Sequence, residues 1–157
     1  MSEEMINDFD FEEDAKEEDQ EPTHKFLAFH SDGILYAIDA DYVNEIIMTD
    51  AITHLPRVPK HVNGIINLRG QLLPIIDIRL RMGRSETEFT DDTCVIICTV
   101  NDMSIGILVD SVSQMLDIGE SHVSEPPLSK HQDLVSGIAK VDDMVLLLVS
   151  VEELVKK

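Results

Sequence analysis

The chain has 157 residues, 43% of them apolar, and a formal net charge of −19. That apolar content supports a buried core, in one domain or two fused half-size units, and excludes disorder throughout. The negative charge repels phosphate backbones and anionic lipid, which disfavours nucleic-acid and membrane-surface roles and favours basic partners.

The charge is unevenly spread. Through Pro22 there are eleven acidic residues and one lysine, a net −10, which leaves −9 for the other 135 residues. Ser2 to Glu21 contains only Met5, Ile6, Phe9, Phe11 and Ala15 as apolar members, too few to offset the entropy of ordering. Residues 1–22 are therefore expected to be a disordered, solubilising acidic tail, with a short acidic and apolar binding motif at Met5 to Phe11 as the alternative reading.

From residue 23 the pattern is that of strands. Lys25 to Phe29, a turn at Ser31-Asp32-Gly33 and Ile34 to Ile38 read as a hairpin, Gly33 being suited to the positive φ such turns need. Asp41 to Met48 is expected to begin as a helical turn, capped by Asp41, and to continue as a strand. Pro56 and Pro59 interrupt regular structure. Leu72 to Ile78 then reads as a strong strand. A second hairpin follows, with Cys94 to Val100, a turn at Asn101-Asp102, and Met103 to Val109. Asp110 to Leu116 is expected to copy the turn and strand of Asp41 to Met48, Pro126 and Pro127 break the chain again, and Val145 to Val151 is a strand. Glu152 to Lys157, acidic first and basic last, reads as a short helix.

This order reflects a duplication. Val62 to Ile78 aligns without a gap with Val135 to Val151 at a spacing of 73, and Phe26 to Ile46 aligns with Val95 to Met115 at a spacing of 69. About five strands per copy, joined by short connections, imply a mainly β fold of two five-stranded barrels, about 23–90 and 91–157, curled so that few edges remain exposed. A groove between the two units would suit a partner.

Catalytic and metal-binding patterns are absent from this sequence. His24, His30, His54, His61, His122 and His131 have no ligand spacing, and there is neither a phosphate-binding glycine loop nor a nucleophile elbow. Cys94 and Cys98, about 13 Å apart on a strand, read as core thiols in a reducing cytoplasm. Neither a signal peptide nor a membrane-spanning run is expected. Asp39, Asp41, Asp77 and Asp110 are candidate carboxylates, for which capping is favoured over acid catalysis because Asp41 and Asp110 are repeat equivalents. Arg69 is the residue least explained by folding. It occupies a turn that does not require arginine, and its repeat equivalent is Asp142. Two readings stay open, recognition of an acidic partner group by the planar guanidinium or a solvated turn residue.

Gly33 to Ile38, Val43-Asn44-Glu45-Ile46, Gly64 to Asp77, Ile105 to Val112 and Leu134 to Gly137 closely resemble the CheW family of chemotaxis coupling proteins, from about His24 to Val155. The resemblance implies two barrels like SH3 folds sharing a core, no cofactor, and a cytoplasmic adaptor without catalysis. It also implies the partners: the cytoplasmic tips of chemoreceptors, and the regulatory domain of the histidine kinase CheA, which has the same fold. By position it implies partner contacts at Val43, Glu45, Ile46, Gly64, Arg69 and Gly70. Ile47, Asp143 and Ser150 depart from the family pattern, at positions where Arg, Gly and Asp or Asn are usual. The alternatives are a detached regulatory domain of a CheA-like kinase and a small β-barrel enzyme.

Overall fold

A computed structural model describes residues 21–53, 62–84, 89–126 and 134–156. The tail expected over 1–22 lies, but for its last two residues, outside that range, as do the prolines at 56, 59 and 127. The fold is mainly β, as expected. Sheet I has the order β8-β1-β2-β11-β10-β9 and sheet II the order β3-β6-β7-β5-β4. The strands are β1 Thr23–Ser31, β2 Ile34–Asp39, β3 Val43–Met48, β4 Val62–Leu68, β5 Gln71–Asp77, β6 Cys94–Val100, β7 Met103–Val109, β8 Ser111–Gly119, β9 Val123–Ser124, β10 Val135–Val141 and β11 Met144–Val149.

Each sheet draws on both copies. The β1–β2 hairpin of the first copy joins the β10–β11 hairpin of the second through a parallel pairing of β2 with β11, and β5 of the first copy joins β7 of the second in the same way. The expected division near residue 90 therefore does not separate the sheets. A repeat pattern specifies what each copy pairs with in kind, and leaves open which copy supplies it. The exchange is reciprocal, so the sheets are related by an approximate two-fold: β1, β2, β3, β4 and β5 correspond to β6, β7, β8, β10 and β11. Sheet I gains a sixth strand in β9, whose counterpart in sheet II is the single bridge from Thr53 to Ile65.

Alternation along the strands builds three apolar clusters. Phe29, Tyr36, Ile38, Ile96, Ile107 and Val149 fill the shared core between the sheets. Ala28, Ala37, Ala139, Leu146 and Leu148 fill the hollow of sheet I, and Ile66, Leu73, Ile75, Val95, Ile97 and Leu108 that of sheet II. The central strands are thus buried on both faces, which is why they read as continuous apolar runs. Cys94 and Cys98 are free and buried in the shared core. Burial pushes the Cys98 thiol up to about 12.

Three local expectations meet different outcomes. Ala40–Tyr42 is a 3-10 turn before β3, but Asp39 is its cap, accepting from Asp41 N at 2.9 Å. At the equivalent place Asp110 leads straight into β8, with no helical turn. Two short helices, α1 (Ile78–Arg81) and α2 (Val151–Val155), end the copies at equivalent points, capped by Asp77 and Ser150. The second is the expected closing helix, begun one residue earlier; the first begins at Ile78, the last residue of the expected strand, and its other residues carried no expectation.

Candidate functional site

The β4–β5 turn is Arg69-Gly70, with φ of 52° and 86°. Positive φ at both central residues matches the right-handed twist of a two-residue hairpin, and Asn, Asp or Gly usually occupy such positions. The β1–β2 turn obeys this with Asp32-Gly33, and the β6–β7 turn with Asn101-Asp102. Arginine at the first position is the exception, with a backbone cost of about 1–2 kcal/mol for a left-handed L-residue. Gly70 N donates to Asn67 Oδ1 at 3.0 Å, which supports the turn from within β4.

Sheet II curls far enough to bring this turn against β3 at its opposite edge. Arg69 Nη2 donates to Glu45 Oε2 across the gap. The arginine side chain is 72% exposed and the glutamate 32%. Such a surface pair contributes about 0–1 kcal/mol to stability, so it explains the position of the guanidinium better than the choice of arginine. Asn44, Gln71, Thr99 and Ser104 surround the pair in a shallow depression of about 180 Å³. Thr99 Oγ1 donates to Asn44 Oδ1 at 2.8 Å and lies 2.9 Å from Ser104 Oγ. Nothing in the sequence singles out Asn44, Gln71, Thr99 or Ser104, since their convergence depends on the curl of the sheet.

The six candidate residues do not share one surface. Glu45 and Arg69 are in contact, Gly70 is exposed beside Arg69, and Ile46 follows Glu45 with 44% exposure. Met48 and Leu72, not singled out from sequence, are also exposed apolar side chains on β3 and β5. Val43 instead packs half-buried against the shared core, because the bulge between Val43 and Glu45 changes the face it presents. Gly64 is buried at the matching bulge of β4, paired with Ile75. Its equivalent Gly137 shows what such a bulge demands: an added Cβ would lie 2.9 Å from Val123 Cγ1 and 3.2 Å from Ser124 O.

Asp77, considered as a catalytic carboxylate, is fully buried in an ion pair. Its two oxygens accept from Arg79 Nε at 3.2 Å and Nη2 at 3.1 Å, while Arg79 Nη1 lies 3.6 Å from Asp110 Oδ1. Burial pulls the Arg79 pKa down, and Asp77 with Asp110 more than offsets it, so the guanidinium is held above its ordinary value. Arg79 is only 2% exposed and was not foreseen. His24 meets Asp39 at 2.7 Å and Asp41 at 3.3 Å on the surface of sheet I.

Residues 25–157 match the family model described as CheW-like domain. The chemotaxis protein CheW of Helicobacter pylori is 31% identical over 145 residues, covering 91% of this chain and 88% of that one. The Bacillus subtilis chemotaxis protein CheW is 33% identical over 133 residues, covering 85% and 77%. Among solved structures, the scaffolding protein TtCheW from Thermoanaerobacter tengcongensis superposes with a TM-score of 0.76 at 32% identity, over 81% of this chain and 88% of that one. The chain therefore belongs to the CheW-like family of chemotaxis scaffolding proteins, adaptors that act without catalysis.

Proposed function

We propose that this protein couples the cytoplasmic tips of chemoreceptors to the regulatory domain of the histidine kinase CheA, transmitting receptor state to kinase activity through binding. It works in the cytoplasm and reaches membrane receptor arrays through protein contacts. Among the described residues no helix is long and apolar enough to cross a membrane, which accords with recruitment by contact. The observation that carries the receptor assignment is Arg69. A guanidinium held at a backbone conformation arginine disfavours offers an acidic helical surface a charge partner, and Ile46, Met48 and Leu72, exposed on β3 and β5 of the same sheet, offer it apolar area. A carboxylate on the receptor would take the place Glu45 holds in the free protein.

Arg69→Glu tests this directly. Glutamate carries about the same left-handed backbone cost as arginine at this turn, and the exposed pair with Glu45 is worth about 0–1 kcal/mol, so the variant should still fold, within about 1 kcal/mol of the parent. Charge reversal at a partly desolvated contact should weaken binding of a receptor cytoplasmic fragment by about 2–5 kcal/mol, while binding of the kinase regulatory domain is largely kept. Isothermal titration with each partner separately reads both effects. Parental affinity for both would reduce Arg69 to a solvated turn residue.

A further inference from the structure

Among the described residues, the chain crosses between the sheets at two places, and these are equivalents in the duplication. One is Asp110, between β7 of sheet II and β8 of sheet I; the other is Ala40–Tyr42, between β2 of sheet I and β3 of sheet II. They are held very differently. At the first, Asp110 Oδ2 accepts from Asp32 N at 2.7 Å in the β1–β2 turn, Asp110 Oδ1 faces Arg79, and Asp110 N donates to His30 O at 3.0 Å. Arg79 is fixed to Asp77 at the end of β5, and Arg84, whose backbone N donates to Arg79 O at 2.7 Å, closes the loop onto the Asp32 carboxylate. The clamp ties sheet I to sheet II through side chains of which two, Asp77 and Arg79, are almost wholly excluded from water.

At the second crossing the clamp is missing, because its residues have diverged. Asp41 stands where Asp110 does, but Ser150 replaces Asp77 and Glu152 replaces Arg79. Without the arginine, Asp41 turns outward to His24, and its side chain is 75% exposed. Among the described residues, the polar link from this crossing to α2 is an exposed hydrogen bond, Tyr42 Oη donating to Glu152 Oε2 at 3.1 Å, made by a tyrosine half-buried against the shared core. Breaking a buried ion pair opposes opening far more than breaking an exposed bond that water replaces.

We propose that the two sheets move against each other about the clamped Asp110 crossing, with the Ala40–Tyr42 crossing as the yielding end. β3 begins at Val43, directly after that crossing, and carries Glu45 and Ile46, so the motion is delivered to the strand that positions Arg69. That consequence for signalling rests on the coupling function proposed above, whereas the hinge is a property of the free protein.

Hydrogen exchange followed by mass spectrometry on the free, full-length chain tests it. Amides of residues 40–46 should exchange about tenfold or more faster than those of 110–115. The double variant Ser150→Asp with Glu152→Arg rebuilds the acid–arginine–acid set around Asp41, and should slow exchange at 40–46 by about tenfold while leaving 110–115 unchanged. Equal protection at the two crossings in the parent, or no added protection at 40–46 in a double variant of parental circular dichroism, overturns the proposal. Loss of receptor binding in Arg69→Glu is read separately, so the hinge and the coupling function can fail independently.

Discussion

Gly106, in the middle of β7, is where the packing of the two sheets differs most sharply. A Cβ added there would stand 2.5 Å from Ile75 Cδ1 and 2.6 Å from Val95 Cγ1. Its equivalent in sheet I, Ala37, already carries that methyl group and is fully buried. Around Ala37 the equivalents of Ile75 and Val95 are Leu148 and Phe26, which are no smaller, while Ala28 and Ala139 stand in the hollow of sheet I where sheet II has Ile97 and Ile66. The glycine thus coincides with the hollow that carries the larger residues at those two positions.

Gly106→Ala has two opposed effects. Alanine restricts the unfolded chain, which favours folding by about 0.4–1 kcal/mol where the backbone is compatible. Crowding in a filled core costs about 1–3 kcal/mol. Crowding should win, since Ile75 and Val95 are both fully buried and the branched Val95 has little rotamer freedom. At a denaturant slope of about 2 kcal/mol per molar urea, a net loss of about 1–2 kcal/mol lowers the unfolding midpoint by about 0.5–1 M. Ile75→Val removes the atom at 2.5 Å and alone costs about 0.5–1.5 kcal/mol. Together the two changes should cost less than their sum by at least about 0.5 kcal/mol, since each relieves the other's defect. A Gly106→Ala midpoint equal to the parent's, or strict additivity of the pair, would refute the account of the sheet II hollow.

Gly137→Val should destabilise by about 1–3 kcal/mol in the same urea assay, because Ser124 O is backbone and cannot move aside as a side chain does. His24 has its pKa raised, first by the hydrogen bond from its ring to Asp39 and then by the charge of that carboxylate. A raised folded-state pKa contributes stability that is fully present below the unfolded value of about 6.5 and lost as pH rises through the folded value. His24→Gln should therefore narrow its stability gap to the parent as pH rises from about 6 to 8, with NMR titration of the ring giving a midpoint above about 6.5 in the parent; a lower midpoint contradicts the contact. Cys98, raised to about 12, should resist iodoacetamide at pH 8 in the folded chain and react in urea, as read by mass spectrometry.

What the sequence made legible was whatever a few adjacent residues decide. The turns at Asp32-Gly33 and Asn101-Asp102, the strands around them and the thiols at 94 and 98 follow from turn chemistry and apolar runs. Pairing between copies was not legible, because Ile75 meets Gly106 and Tyr36 meets Leu147 through contacts the repeat makes equally available within a copy. Arg79 was missed because Ile78-Arg79-Leu80-Arg81 looks like an exposed charged edge. Its charge is matched by Asp77, two positions before it, and more distantly by Asp110, 31 positions away in the other copy, and both face it only once the sheets have packed. The equivalence of Asp41 and Asp110 misled for the same reason: matched positions acquire different roles once Arg79 and Glu152 diverge opposite them.

Of the residues at the candidate site, Arg69 stood out on its own chemistry, Glu45 and Gly70 came only through the family resemblance, and the polar surroundings did not emerge from the sequence. Asp142 at φ 56° is a residue that tolerates the left-handed region, so the β10–β11 turn follows from local preference. Arg69 at φ 52° works against that preference, and its exposed pair with Glu45 returns less than the conformation costs. Folding alone would therefore select Asn, Asp or Gly at position 69, as it does at the other hairpins. Arginine at position 69 is therefore not accounted for by turn preference, and the proposed receptor contact rests on it, with the equivalent turn at Asp142 as the control in which local preference is enough.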